Sequence, residues 1–129
     1  MEKPAMLKVL APIVAAVVLA SPAQAQDAAA GKRAFLKCVA CHSVAKGAPN
    51  KIGPNLFGVV GRKAGTAPGF RYSAAMKAKG AAIVWNPATL DKWLARPSAV
   101  IPGTSMAFAG VPNAAERASI IAYLKKPVP

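Results

Sequence analysis

The chain has 129 residues and a formal net charge of +13, from 17 Lys and Arg against 4 Asp and Glu. A length of this order supports a single domain. So basic a chain favours acidic partners met by fast, salt-sensitive encounter, and the lack of any recognition motif or aromatic–basic interleaving argues against nucleic acid.

The N-terminus reads as an export signal. Lys3 and Lys8 supply positive charge, Val9 to Ala20 is an apolar run, and Ala23-Gln24-Ala25 is a small-residue cleavage site. Cleavage after Ala25 makes residues 1–25 a signal peptide and leaves Gln26 to Pro129. A membrane-spanning helix needs about 20 apolar residues. This run is shorter and is interrupted by Pro12, so release rather than anchoring is expected.

Beyond Ala25 the pattern is helical, with little strand-like alternation, and an all-α fold of four to five helices is expected. Asp27 caps a first helix running to about Ala40, with Ala34, Phe35 and Cys38 on one face. A Gly- and Pro-rich loop covers Gly47 to Gly69. Ser73 to Lys79 is a short helix closed by Gly80. Asn86-Pro87 opens another, an N-cap followed by proline at the first helical position; Leu90, Trp93 and Leu94 form its buried stripe and Pro97 ends it. Ser98 to Pro112 is expected as an irregular loop. The last helix starts near Asn113, with Glu116 three residues on in a capping-box-like arrangement, and buries Ile120, Ile121 and Leu124. So few helices make a thin core, one that a bound apolar group would complete.

The decisive segment is Cys38-Val39-Ala40-Cys41-His42, which contains both cysteines and the single histidine. Positions i and i+3 of a helical turn face the same way. Both thiols can therefore add to the two vinyl groups at one edge of a haem, while the histidine ligates the iron. A structural zinc site would need a second ligand pair, which is missing. A redox dithiol belongs beside a βαβ pattern that is equally missing, and a disulfide here would close too small a loop to staple a domain. The second axial ligand cannot be histidine. Of the four methionines, Met1 and Met6 leave with the signal. Met106 lies in the loop Pro102-Gly103-Thr104-Ser105-Met106, free to bring a thioether to a metal, whereas Met76 sits inside a helix where core packing is the usual role. Met106 is the expected ligand, with Met76, a lysine or water as alternatives. Thioether ligation raises the reduction potential relative to two imidazoles.

These residues, together with Gly31, Phe35, Gly53-Pro54-Asn55-Leu56, Gly61-Arg62-Lys63, Ala67-Pro68-Gly69-Phe70, Trp85, Ile101-Pro102-Gly103-Thr104, Met106-Ala107-Phe108-Ala109-Gly110 and Ile121-Ala122-Tyr123-Leu124, resemble class I cytochrome c, in the branch containing the mitochondrial protein and its soluble bacterial counterparts. The resemblance covers residues 26–129 almost throughout. It implies the small cytochrome c fold around one haem c, joined through Cys38 and Cys41, with His42 and Met106 as axial ligands. It further implies that the Pro54 carbonyl accepts from His42, that Arg62, Tyr72, Trp85 and Thr104 surround a haem propionate, that Phe108 closes over the haem edge, and that Gly31 and Phe35 pack against Tyr123.

The chain departs from that pattern at several points. Trp93 stands where the family usually has a tyrosine near the methionine sulfur, and Met76 where it often has an asparagine. The segment between Gly80 and Trp85 is slightly longer than in the mitochondrial form. Ser98, Ala99, Ser105, Pro112 and Asn113 replace lysines of the mitochondrial branch, while Lys37, Lys51, Lys77 and Lys79 remain as expected docking charges. The implied function is a monomeric periplasmic single-electron carrier, not an enzyme. It would dock transiently with acidic partners such as an oxidase, a cytochrome complex, a dehydrogenase or a reaction centre. The competing reading is a peroxidase-type haem enzyme with a labile methionine, which would need acid–base groups that Asp27, Asp91 and Glu116 hardly provide.

Overall fold

The computed structural model describes residues 27–129 and Ala11; the export signal and its cleavage point lie outside them. Five α-helices follow in order: α1 Ala28–Ala34, α2 Ala74–Gly80, α3 Pro87–Ala95, α4 Pro97–Val100 and α5 Ala114–Lys125. The only strand-like pairing among the described residues is an isolated bridge between Lys63 and Val84. None of the described helices is long and apolar enough to cross a membrane.

Each longer helix starts where a short polar side chain takes up an orphan backbone N–H. Asp27 accepts from Ala29, Ser73 from Met76, Asn86 from Thr89 and Asn113 from Glu116, at 2.9–3.1 Å. The Glu116 carboxylate does not reach back to complete a capping box; it pairs with Lys37 instead.

Three expectations are corrected. The first helix stops at Ala34 rather than near Ala40, and Phe35–Lys37 tightens into a 3-10 turn in which Cys38 N–H donates to the Phe35 carbonyl. Gly80 does not close α2 as a left-handed cap. It is the last helical residue and it is buried, and a Cβ there would stand 3.1 Å from the Met76 sulfur. Pro97 ends α3 but also begins α4, so the stretch after it is not wholly irregular. Proline suits a first turn, where its missing N–H is not needed, and Arg96 before it is held extended.

The core is set by the crossing of α1 and α5. Gly31 lies so close to α5 that a Cβ there would fall 1.9 Å from the Ser119 carbonyl oxygen, so only glycine permits the approach. Beside it, the Phe35 and Tyr123 rings meet at 5.4 Å. Helix α3 packs on α5 and contributes Leu90, Trp93 and Leu94, which line one wall of a central cleft together with Ile120 and Leu124 of α5.

Candidate functional site

The segment after the 3-10 turn forms a single helical turn. The Cys38 carbonyl accepts from both Cys41 (3.1 Å) and His42 (2.9 Å), which puts the two half-buried thiols on the same side. Burial raises the Cys38 pKa; Lys37 partly offsets this and the neighbouring Cys41 adds to it. A loop then folds back underneath. Gly53 N–H donates to the Cys41 carbonyl and Leu56 N–H to Ser43, while the Asn55 side chain ties the carbonyls of Ala45 and Ala48.

This loop orients the imidazole. His42 is 9% exposed, and its Nδ1 lies 2.8 Å from the Pro54 carbonyl oxygen. A carbonyl can only accept, so Nδ1 carries the proton and Nε2 is left with a free lone pair. Burial lowers the histidine pKa, against the raising effect of the Pro54 bond, and nearby Lys51 lowers it further. The ring is thus kept neutral, the form in which it binds a metal. From below it is confined by Gly53, where a Cβ would approach Cε1 to 2.3 Å.

All nine residues singled out from the sequence face one cleft of about 260 Å³: Cys38, Cys41, His42, Pro54, Arg62, Tyr72, Trp85, Thr104 and Met106. Arg62 donates to the carbonyls of Asn55 and Phe57, both at 3.2 Å, which fixes its guanidinium and leaves further N–H groups free. Tyr72 Oη accepts from Ala67 N–H at 2.9 Å, so its own proton remains available to donate. Trp85 is buried against Trp93, with ring centroids 5.2 Å apart. Thr104 Oγ1 accepts from Met106 N–H at 3.2 Å, bracing the backbone that carries the thioether. Met106 and Phe108 are half-buried at the cleft.

Met76 also lines the cleft, beside Ser73 and Phe70, in space made by Gly80 and Gly65. The confining role of Gly53 is signalled in the sequence only by its place next to Pro54 in the Gly-Pro-Asn-Leu motif. None of the described carboxylates borders the cleft. Asp27, Glu116 and Asp91 are all drawn into ion pairs, with Arg33, Lys37 and Arg117.

The residues present fit a covalently held haem. Two thiols stand on one turn, an imidazole nitrogen is free beside them, a thioether arrives from a separate loop, and the walls between are apolar. Comparison with known proteins gives the same answer. The cytochrome c family model matches residues 28–126. The chain belongs to the cytochrome c family. It is 48% identical over 102 residues to cytochrome c2 of Rhodoblastus acidophilus, a match covering 79% of this chain and 94% of that one. A cytochrome c homolog of Bradyrhizobium diazoefficiens is 50% identical over 106 residues, and there the match spans 56% of the relative's length. Among solved structures, cytochrome cH from Methylobacterium extorquens superposes with a TM-score of 0.70 at 48% identity, covering 77% of this chain and 97% of that one. Cytochromes c of this family hold one covalent haem c, and Cys38 and Cys41 fit the Cys-x-x-Cys-His haem-binding motif. They are electron carriers rather than enzymes, which disfavours the peroxidase reading.

Proposed function

We propose that this cytochrome is an exported, periplasmic carrier that passes one electron at a time between acidic redox partners, with His42 and Met106 as its axial ligands. The observation supporting this most is the convergence of Cys38, Cys41, His42 and Met106 on a single apolar cleft. When bound, the haem supplies a one-electron ferric–ferrous couple.

The chain's own residues do the rest. Cys38 and Cys41 would hold the group through two thioether bonds. His42 presents Nε2 because Pro54 holds the proton on Nδ1. Leu90, Trp93, Leu94, Ile120 and Leu124 exclude water from the interior. Arg62 and the Tyr72 hydroxyl offer donors to a buried propionate, which needs partners once out of water. Trp85 and Thr104 complete that surround.

Docking falls to the exposed lysines Lys37, Lys51, Lys77 and Lys79, of which Lys37 borders the cleft. Lys37 is already paired with Glu116, and Lys51 donates to the Val39 carbonyl at 2.5 Å, whereas Lys77 and Lys79 project from α2 in no ion pair among the described residues. Attraction of an acidic oxidase, cytochrome complex, dehydrogenase or reaction centre then rests most on Lys77 and Lys79, with the net positive charge steering the encounter, and is screened by salt. Export through residues 1–25, with cleavage after Ala25, would place the monomeric carrier there.

The ligand assignment is tested on the ferric protein by its near-infrared sulfur-to-iron charge-transfer band. The band should be present in the native protein, retained in Met76→Ala and lost in Met106→Ala. A band that survives Met106→Ala, or disappears with Met76→Ala, overturns the assignment.

A further inference from the structure

We propose that Arg117 is a positioning residue for the axial methionine, setting how often Met106 leaves the iron. This rests on the reading of Met106 as ligand. Arg117 lies in α5 and does not line the cleft.

The segment that carries Met106 is held at two buried ends, Ile101 (0% exposed) and Val111 (1%). Between them the hydrogen bonds stay inside the segment: Thr104 N–H to Ile101, Met106 N–H to Thr104 and Phe108 N–H to Met106. Such bonds shape the loop but do not attach it to anything. At the first end Ile101 N–H donates to the Pro97 carbonyl at 3.0 Å, a local bond that closes α4; hydrogen bonds to elements distant in sequence come at the second end. Val111 N–H donates to the Leu94 carbonyl at 2.8 Å, and Arg117 Nη1 donates to the carbonyls of Val111 and Pro112, both at 2.9 Å.

The same guanidinium reaches a third element. Its Nε donates to Asp91 Oδ1 of α3 at 2.7 Å, and the arginine side chain is only 13% exposed. One planar, permanently charged group thus joins α3, α5 and the end of the methionine loop, a role lysine's single point charge cannot reproduce. The contact is also close-packed. Gly110 has φ 122°, and a Cβ there would stand 2.1 Å from the Ala95 carbonyl oxygen. The loop is pressed onto the end of α3 where Arg117 clamps it. Without the clamp, two carbonyls and a carboxylate lose a charged donor, and the anchor five residues from Met106 loosens.

The test is the rate at which the ferric holoprotein takes up cyanide, which saturates at the rate of methionine release. Arg117→Gln should raise that limiting rate about tenfold or more, the size of one to two charge-assisted hydrogen bonds. Arg117→Lys, able to keep Asp91 but not both carbonyls, should fall between. Asp91→Asn, which leaves the carbonyl bonds intact, should give a smaller rise of about threefold and stands in if Arg117→Gln fails to mature. Ile121→Val loosens buried packing of the same helix without removing any hydrogen bond of the clamp, and should stay within about twofold of native. A native rate in Arg117→Gln (or in Asp91→Asn, should it stand in) overturns the proposal. So does an Ile121→Val rate raised as much as Arg117→Gln, since that would mean general softening. Met106→Ala separates the two claims. If it loses the near-infrared band and binds cyanide without saturation, the ligand reading stands and the rates judge Arg117 alone; if the band survives, both claims fall.

Discussion

A methyl group added at Gly53 would stand 2.3 Å from Cε1 of His42, and the backbone there has no freedom to retreat. Gly53 N–H is bonded to Cys41 and its carbonyl accepts from Lys51 N–H, so the imidazole would have to tilt away from Pro54. Gly53→Ala is therefore expected to cost about 1–3 kcal/mol through overpacking, which for a domain of this size lowers Tm by about 5–20 °C. Thermal unfolding of the haem-loaded variant checks this; an unchanged Tm would mean that the ring is not confined from below. Side chains as distinctive as Cys38, Cys41 and His42 could be assigned from sequence because their chemistry is carried by residue type and spacing. The part played by Gly53 could not, since it consists of the absence of a side chain next to a ring that arrives only on folding.

Helices show the same division between local and distant causes. Asp27, Asn86 and Asn113 were legible as starting points because a cap acts on an N–H two or three residues away. The end of α1, the place of Gly80 inside α2 and the one-turn helix α4 were not. Each depends on what the chain meets elsewhere: Gly80 accommodates Met76, and buried Pro97 turns a stop into a start. The α1–α5 crossing tests this view of glycine. At Gly31 the obstacle is backbone of α5 at 1.9 Å, so Gly31→Ala must push the two helices apart and should abolish maturation or lower stability by about 3 kcal/mol or more. Gly47 differs in kind. Nothing lies within 4 Å of a Cβ there, but its φ is +75°, so Gly47→Ala should cost only about 1 kcal/mol of backbone strain. Urea midpoints of the two variants check the order, and equal losses would contradict it.

At the scale of the whole molecule, the cleft occupies the place where a helical protein of this size would otherwise keep its core. Leu90, Trp93, Leu94, Ile120 and Leu124 all face it, so a haem held by Cys38 and Cys41 would be enclosed by the polypeptide rather than laid on its surface. The motif that marks the group was legible in the sequence as Cys-x-x-Cys-His. The charge pairing was not, because Lys37 with Glu116 and Arg117 with Asp91 join residues 79 and 26 positions apart. With every described Asp and Glu side chain engaged, the remaining lysines and arginines give a strongly basic surface, suited to acidic partners. The central claim is that Cys38 and Cys41 hold this group by covalent bonds, and the mass of the peptide spanning Cys38–His42 tests it most directly. After proteolysis of the exported protein, that peptide should carry the added mass of one haem, with neither thiol open to alkylation. A peptide of bare polypeptide mass, with two alkylatable cysteines, would contradict the account.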